Sequence, residues 1–145
     1  MLKNKVAVIY GSGGAIGGAV ARAFASEGAK VFLSGRKRAP LEEVAREIQS
    51  AGGSAEVAEL DALDEKAVDQ HLQSVIDKAG RVDISFNAIS IPPEKILGVP
   101  LIEMDVEQFS LAIASYTRSY FLSARLAARH MVQNKSGVID RKSVV

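Results

Sequence analysis

The chain has 145 residues, 48% hydrophobic and 24% charged, with a net charge of +1. That length and balance fit one globular unit able to bury a core, not a disordered segment. Near-neutrality gives no general attraction to nucleic acid or a membrane surface, and the lack of cysteine excludes disulfide and thiolate chemistry among these residues.

The chain opens with Met1-Leu2-Lys3-Asn4-Lys5 and leads straight into an apolar run, without the pattern of a signal peptide. No apolar run reaches the ~20 residues of a membrane span, so the expectation is a soluble, cytoplasmic protein. The first strand is expected from Lys5 to Ile9 or Tyr10. The first helix is expected from Ala15 to Glu27, with Ile16, Val20 and Phe24 on one apolar face, Ala19 and Ala23 beside it, and Gly28 ending it. The second strand is Lys30 to Ser34. A turn from Gly35 to Pro40 precedes a helix from Pro40 to Ala51, with Leu41, Val44, Ala45 and Ile48 inward. The third strand is Ala55 to Leu60. Asp64 caps a helix from Glu65 to Ala79 that carries Val68, Leu72, Val75, Ile76 and Ala79 as a stripe and stops at Gly80. The fourth strand is Val82 to Phe86. A loop with Pro92-Pro93, Gly98 and Pro100 follows, and Asp105 caps a long helix from Val106 to about Val132. A fifth strand begins near Gly137.

Strand and helix alternate throughout, which implies parallel strands joined by right-handed crossovers. The expected fold is α/β, a doubly wound parallel sheet of order 3-2-1-4-5 with helices on both faces, three layers in all. The whole chain, 1–145, reads as one domain, cut off after the start of the fifth strand.

The stretch Val6 to Val20 organises the rest. An apolar strand runs into Tyr10-Gly11-Ser12-Gly13-Gly14-Ala15-Ile16-Gly17, and a helix follows. Glycines allow a tight turn and close approach of a ligand to the backbone. The helix start offers free N–H groups and the positive end of its dipole, a place for a phosphate or pyrophosphate. A plain glycine-rich turn that binds nothing is the competing reading. The glycines at 11, 13 and 17 follow Gly-x-Gly-x-x-x-Gly. That spacing resembles the short-chain dehydrogenase/reductase family, whose Rossmann-like fold carries the loop Thr-Gly-x-x-x-Gly-x-Gly. Gly11 and Gly17 match, Tyr10 stands for the threonine, and Ala15 stands for the middle glycine. The resemblance implies a cofactor site on Gly11, Ser12, Gly13, Gly14, Ala15, Ile16 and Gly17.

Three further strand ends bear on the ligand. No Asp or Glu stands between Glu27 and Glu42, where a site for NAD carries an acid that accepts from the ribose hydroxyls. Gly35-Arg36-Lys37-Arg38 stands there instead, and a guanidinium can hold a 2′-phosphate in bidentate fashion. NADP(H) is therefore the preferred cofactor and NAD(H) the alternative, with Arg36 as the principal ligand and Lys37 or Arg38 in support; a solvated basic turn is the competing reading. Asp61-Ala62 resembles the family's Asp-Val pair, which implies a carboxylate accepting from the adenine amino group, although Asp61 could equally be a turn aspartate. Asn87-Ala88-Ile89 resembles part of the family's Asn-Asn-Ala-Gly. Asn87 and Ala88 match, while Phe86 and Ile89 depart from it.

The resemblance implies hydride transfer between NADP(H) and a carbonyl or alcohol substrate, with a tyrosine and a lysine four residues on as the proton relay. No Tyr-x-x-x-Lys occurs here: Tyr10, Tyr116 and Tyr120 are followed four residues later by Gly14, Tyr120 and Ala124. Tyr116 stands where the family's helix asparagine should be. Ser143 lies near the expected place of the family's serine. Reaching it runs the fifth strand through Asp140-Arg141-Lys142, and three charges in a central buried strand are costly without partners. The resemblance covers residues 5 to about 139, the front part of the family fold. The chain thus reads as the nucleotide-binding part of an oxidoreductase, itself inactive as it stands; the alternative is a non-catalytic nucleotide-binding or subunit-interaction module. His71 and His130 have no companions at metal spacing and read as surface or helix-end residues. Phe109, Ile113, Tyr116 and Tyr120 mark one side of the long helix, and Leu111, Leu122 and Leu126 another. A helix apolar on two sides is buried on two sides. One should meet the sheet and the other a second copy, a homo-oligomer formed through residues 105–132.

Overall fold

The structure is a computed structural model and describes residues 1–91 and 98–143; Pro92 and Pro93 of the expected loop lie outside the described residues. The elements are β1 Val6–Tyr10, α1 Ala15–Ser26, β2 Lys30–Gly35, α2 Arg38–Ser50, β3 Ser54–Glu59, α3 Glu65–Ala79, β4 Ile84–Asn87, α4 Val106–Gln133 and β5 Val138–Arg141. The strands form one sheet of order β3-β2-β1-β4-β5, and every neighbouring pair is parallel. The order and the parallel pairing are those expected from the alternation of elements.

β1 lies at the centre because all five of its residues are apolar enough to be buried on both faces. Its side chains alternate. Ala7 and Ile9 join Val31, Leu33, Ile84 and Phe86 under α1 and α2, and Val6, Val8 and Tyr10 join Phe32 under α3 and α4. Register then aligns the carboxyl ends: Tyr10 stands beside Ser34 on one side and Asn87 on the other. These three residues mark the edge at which the order of connection reverses, where ligands sit in such sheets.

Helix α3 matches its expected limits. The Asp64 carboxylate accepts from the N–H groups of Lys66 and Ala67 at 2.9 and 3.1 Å, and Gly80 closes the helix in the left-handed conformation. Asp105 caps α4 by accepting from Gln108 N–H at 2.7 Å, while Gln108 accepts from Asp105 N–H at 3.1 Å.

Four expectations need correction. The buried face of α1 is Gly17, Gly18, Ala21 and Ala25, while Ile16 is half exposed and Val20 and Phe24 are only partly covered. The helix approaches the sheet so closely that small residues, not the bulky stripe, make the contact. α2 starts two residues early, at Arg38, so Pro40 sits in its first turn, where a missing N–H costs nothing. β5 is the outermost strand among the described residues and all four of its residues are exposed, not buried as in a central strand. In α4 Leu122 and Leu126 meet the sheet as expected, but with Ser115, Ser119, Ser123, Ala127 and Met131 and without Leu111, while Phe109 and Ile113 face solvent.

Candidate functional site

The β1–α1 loop is built tightly. The N–H groups of Gly11 and Ser12 both donate to the Ser34 carbonyl, at 2.8 and 3.1 Å. Gly11 has φ +74°, and a Cβ there would stand 2.9 Å from the backbone of Ala88 and Ile89. A Cβ on Gly17 would stand 2.3 Å from the Gly11 carbonyl oxygen. These two glycines therefore let the loop fit between the segment after β4 and the first turn of α1. The Ala88 N–H donates to the Tyr10 carbonyl at 2.8 Å, which fixes that segment against β1.

The helix starts divide into two kinds. α3 and α4 carry carboxylate caps, whereas α1 begins after Gly14 and α2 after Lys37, with no side-chain cap and no acid in the first turn of either. An uncapped start leaves N–H donors unsatisfied and the positive dipole end unscreened. The loops at both uncapped starts border one cleft of about 430 Å³, lined by Gly11, Gly13 and Gly14 from the first loop and by Ser34, Gly35, Arg36, Lys37, Pro40 and Leu41 from the end of β2 through the start of α2. Its remaining walls are Leu60, Asp61, Ala62 and Leu63 after β3, Ala88 to Ile91 after β4, and Leu111 and Ser115 from α4.

Arg36 and Lys37 are exposed at the cleft and have no ion-pair partner among the described residues. Glu59, which stands opposite Gly35 on β3, does not line it. Arg38 is turned away: inside α2, its Nε donates to Glu42 at 2.6 Å. Ser12 is buried and its hydroxyl donates to the Ser34 carbonyl at 3.2 Å. Ala15 and Ile16 are exposed at the start of α1 without lining the cleft, and Gly17 is buried beneath it. Asp61 is exposed at the rim, with one carboxylate oxygen accepting from Leu63 N–H at 2.9 Å. Asn87 is 2% exposed and lies behind the wall. Its Nδ2 donates to the Ser123 hydroxyl and its Oδ1 accepts from Ile89 N–H, both at 3.0 Å, so it ties β4 to α4 and shapes the segment that does line the cleft. Ser143 is exposed beyond β5 and does not line it. Sequence reasoning did not single out Pro40, Leu63, Ser90, Ile91 or Ser115. The only local signal was the four-residue spacing of Leu111 and Ser115, which puts both on one side of α4.

Behind the cleft, the ring of Tyr10 meets His71 of α3 edge to face at 6.2 Å. His71 is buried, contrary to the surface position expected. Burial, with Lys78 nearby, lowers its pKa from 6.5 to about 4. Burial also raises the Tyr10 hydroxyl well above the usual phenol range. Neither the Tyr10 hydroxyl nor His71 Nδ1 has a hydrogen-bond partner among the described residues. Both groups stay neutral, as packing residues do. No group of three metal-ligating side chains occurs among the described residues, and none of their helices is long and apolar enough to cross a membrane.

A parallel sheet of this order, with a glycine-lined cleft and uncapped helix starts at its switch point, is a Rossmann-like fold. The chain belongs to the short-chain dehydrogenase family, whose model matches residues 5–141. It is 34% identical to the uncharacterized oxidoreductase YxbG of Bacillus subtilis over 99% of this chain and 51% of that protein. Among solved structures, a metagenomic short-chain oxidoreductase in complex with NADP is 32% identical, with a TM-score of 0.88 over 99% of this chain and 64% of that one. A 7α-hydroxysteroid dehydrogenase complexed with NADH and 7-oxo glycochenodeoxycholic acid is 31% identical, with a TM-score of 0.87 over 98% and 54%. The chain spans about half the length of the curated relatives it matches. Neighbours of nearly equal likeness hold different nucleotides, so the fold alone does not choose between them.

Proposed function

We propose that these 145 residues are the dinucleotide-binding domain of an oxidoreductase that prefers NADP(H) and acts on a small carbonyl or alcohol compound. The observation that carries this reading is the pair of uncapped helix starts at one cleft, with Arg36 and Lys37 at the second and no acid between Glu27 and Glu42. The first start, with the backbone of Gly11, Gly13 and Gly14, receives the pyrophosphate. The second receives the 2′-phosphate, held by the Arg36 guanidinium with Lys37 beside it. Arg38, turned away and engaged with Glu42, adds only positive charge to this turn. Asp61 accepts from the adenine amino group against the apolar walls of Leu60, Ala62 and Leu63. Ala88 and Ile89, held in place by Asn87, close the opposite side. Ser12, Ala15, Ile16 and Gly17 serve by shaping the loop and the helix start.

When bound, the nicotinamide supplies hydride transfer at its C4, and the protein's part is to bind, orient and keep water out. Ser143, exposed beyond β5, is the candidate for orienting substrate. The neutral Tyr10 and His71 behind the cleft hold β1 against α3 and take no proton. The exposed Phe109 and Ile113 of α4 support self-association through that helix, and a cytoplasmic location fits the composition.

The test is the dissociation constant of NADPH and of NADH for the wild type and for Arg36→Ala. Losing a charge-assisted contact to a phosphate should weaken NADPH by about ten-fold or more and leave NADH nearly unchanged. Equal weakening of both, or of neither, would remove Arg36 from the 2′-phosphate.

A further inference from the structure

We propose that Arg118 of α4 is a positioning residue for base recognition. It fixes the turn that aims the Asp61 carboxylate into the cleft, and so makes the site prefer a base with an exocyclic amino group. The inference deepens the cofactor reading above and rests on it.

Within the turn after β3, the Asp61 carboxylate accepts from Leu63 N–H at 2.9 Å, and Asp64 N–H donates to the Asp61 carbonyl at 3.0 Å. The peptide between Leu63 and Asp64 therefore has its N–H committed inward. Its carbonyl accepts from Arg118 Nε at 2.8 Å, across 55 residues of sequence. One peptide group is thus held at both ends, and hydrogen bonds in such a chain polarise one another. Asp64 also caps α3, so the turn is pinned on three sides: by its own strand, by α3 and by α4. A second tie between the two helices, the ion pair of Arg125 with Glu65, keeps Arg118 in register with the turn.

The arrangement has a consequence for the ligand. One Asp61 oxygen is engaged by Leu63 N–H, and the other has no hydrogen-bond partner among the described residues. That oxygen can only accept. It sits at a rim whose neighbours Leu60, Ala62 and Leu63 are apolar, with Leu111 of α4 also lining the cleft. A flat ring lying among them is selected by what it offers the carboxylate. An amino group donates. An oxo group at the same position presents a second acceptor and leaves the carboxylate unpaired, which costs affinity. Arg118 is exposed and belongs to neither core cluster, so its removal acts on the turn and leaves the packing of the sheet in place.

The experiment measures NADPH and its hypoxanthine analogue, in which an oxo group replaces the adenine amino group, against the wild type, Arg118→Ala and Arg118→Lys. The wild type should prefer the adenine form by about ten-fold, the worth of one charge-assisted hydrogen bond. Arg118→Ala should bring the ratio toward one by weakening the adenine form alone, and Arg118→Lys should recover part of it. An unchanged ratio in Arg118→Ala, or equal weakening of both nucleotides, overturns the proposal. Amide exchange of Asp64 in the unliganded protein reads the same contact without a ligand. It should accelerate in Arg118→Ala, and unchanged exchange overturns the positioning role. If neither nucleotide binds the wild type, the cofactor reading and the base preference with it are overturned, and Asp64 exchange alone then decides whether Arg118 holds the turn.

Discussion

Lowering the pH should loosen this fold through one side chain, His71. Its imidazole is 9% exposed, and burial, with Lys78 nearby, lowers its pKa from 6.5 to about 4. Folding therefore favours the neutral form. Above pH 6.5 both folded and unfolded chains carry a neutral imidazole, and stability does not depend on it. As the pH falls below 6.5 the unfolded chain takes up a proton that the folded chain refuses, so stability drops until about pH 4, where the folded form also binds it. At ~1.4 kcal/mol per unit, the loss is about 2 kcal/mol by about pH 5 and about 3 kcal/mol at the end of the window. That is a large share of the ~5–15 kcal/mol of a typical domain. Glu56, held below the usual carboxylate range by hydrogen bonds from Lys30 and Lys78, adds its own loss only at the acid end of this window, and the difference between wild type and His71→Leu isolates the histidine. The assay is urea unfolding followed by circular dichroism from about pH 7.5 to about pH 4.5, on the wild type and His71→Leu, which keeps an apolar side chain against Tyr10. The wild type should lose stability steadily below pH 6.5, and the variant should be nearly flat. A flat wild-type profile, or an undiminished slope in His71→Leu, would refute the reasoning.

Gly17→Ala should destabilise the fold by about 1–3 kcal/mol, since the new methyl would meet the Gly11 carbonyl oxygen at 2.3 Å; thermal unfolding measures it, and an unchanged midpoint would mean that α1 stands farther from the loop. Asn87→Ala should cost about 1 kcal/mol or more by removing the acceptor of the part-buried Ile89 N–H and the donor to the Ser123 hydroxyl, which keeps its bond to the Ser119 carbonyl. Urea denaturation reads this loss, and amide exchange at residues 88–91 should rise with it. Replacing Phe109 by Asp on the exposed side of α4 should shift any self-associated form toward monomer in light scattering, while a wild type already monomeric at high concentration would count against association through this helix.

The strands and helices were legible where local chemistry sets their limits. Asp64 and Gly80 bracket α3, Asp105 opens α4, and the apolar run of β1 has no other stable place than the sheet centre. Faces were less legible. The face of α1 that packs is made of glycine and alanine, because the close approach of helix to sheet excludes the bulkier residues that make a sequence stripe visible. The sheet-facing side of α4 carries Ser115, Ser119 and Ser123 for a similar reason, and no hydrophobic pattern announces them. β5 read as too charged for a buried strand, and among the described residues its four residues are exposed. Within the site, the glycine loop and the basic turn could be read from neighbours in sequence. The inward turn of Ser12, the engagement of Arg38 by Glu42, and the arrival of Leu111 and Ser115 from a distant helix depend on tertiary packing. His71, without companions at metal spacing, read as a surface or helix-end residue, although it adjoins Leu72 of the apolar stripe and packs against Tyr10.

The central claim, a cleft whose two uncapped helix starts hold an NADP-type dinucleotide, is tested most directly by titrating the wild-type protein with NADPH and with NADH and following nicotinamide fluorescence. Both should bind saturably, NADPH tighter by about ten-fold or more at moderate ionic strength, with the margin narrowing as salt screens the 2′-phosphate contact. Tighter binding of NADH, or no saturation by either nucleotide, would contradict the claim.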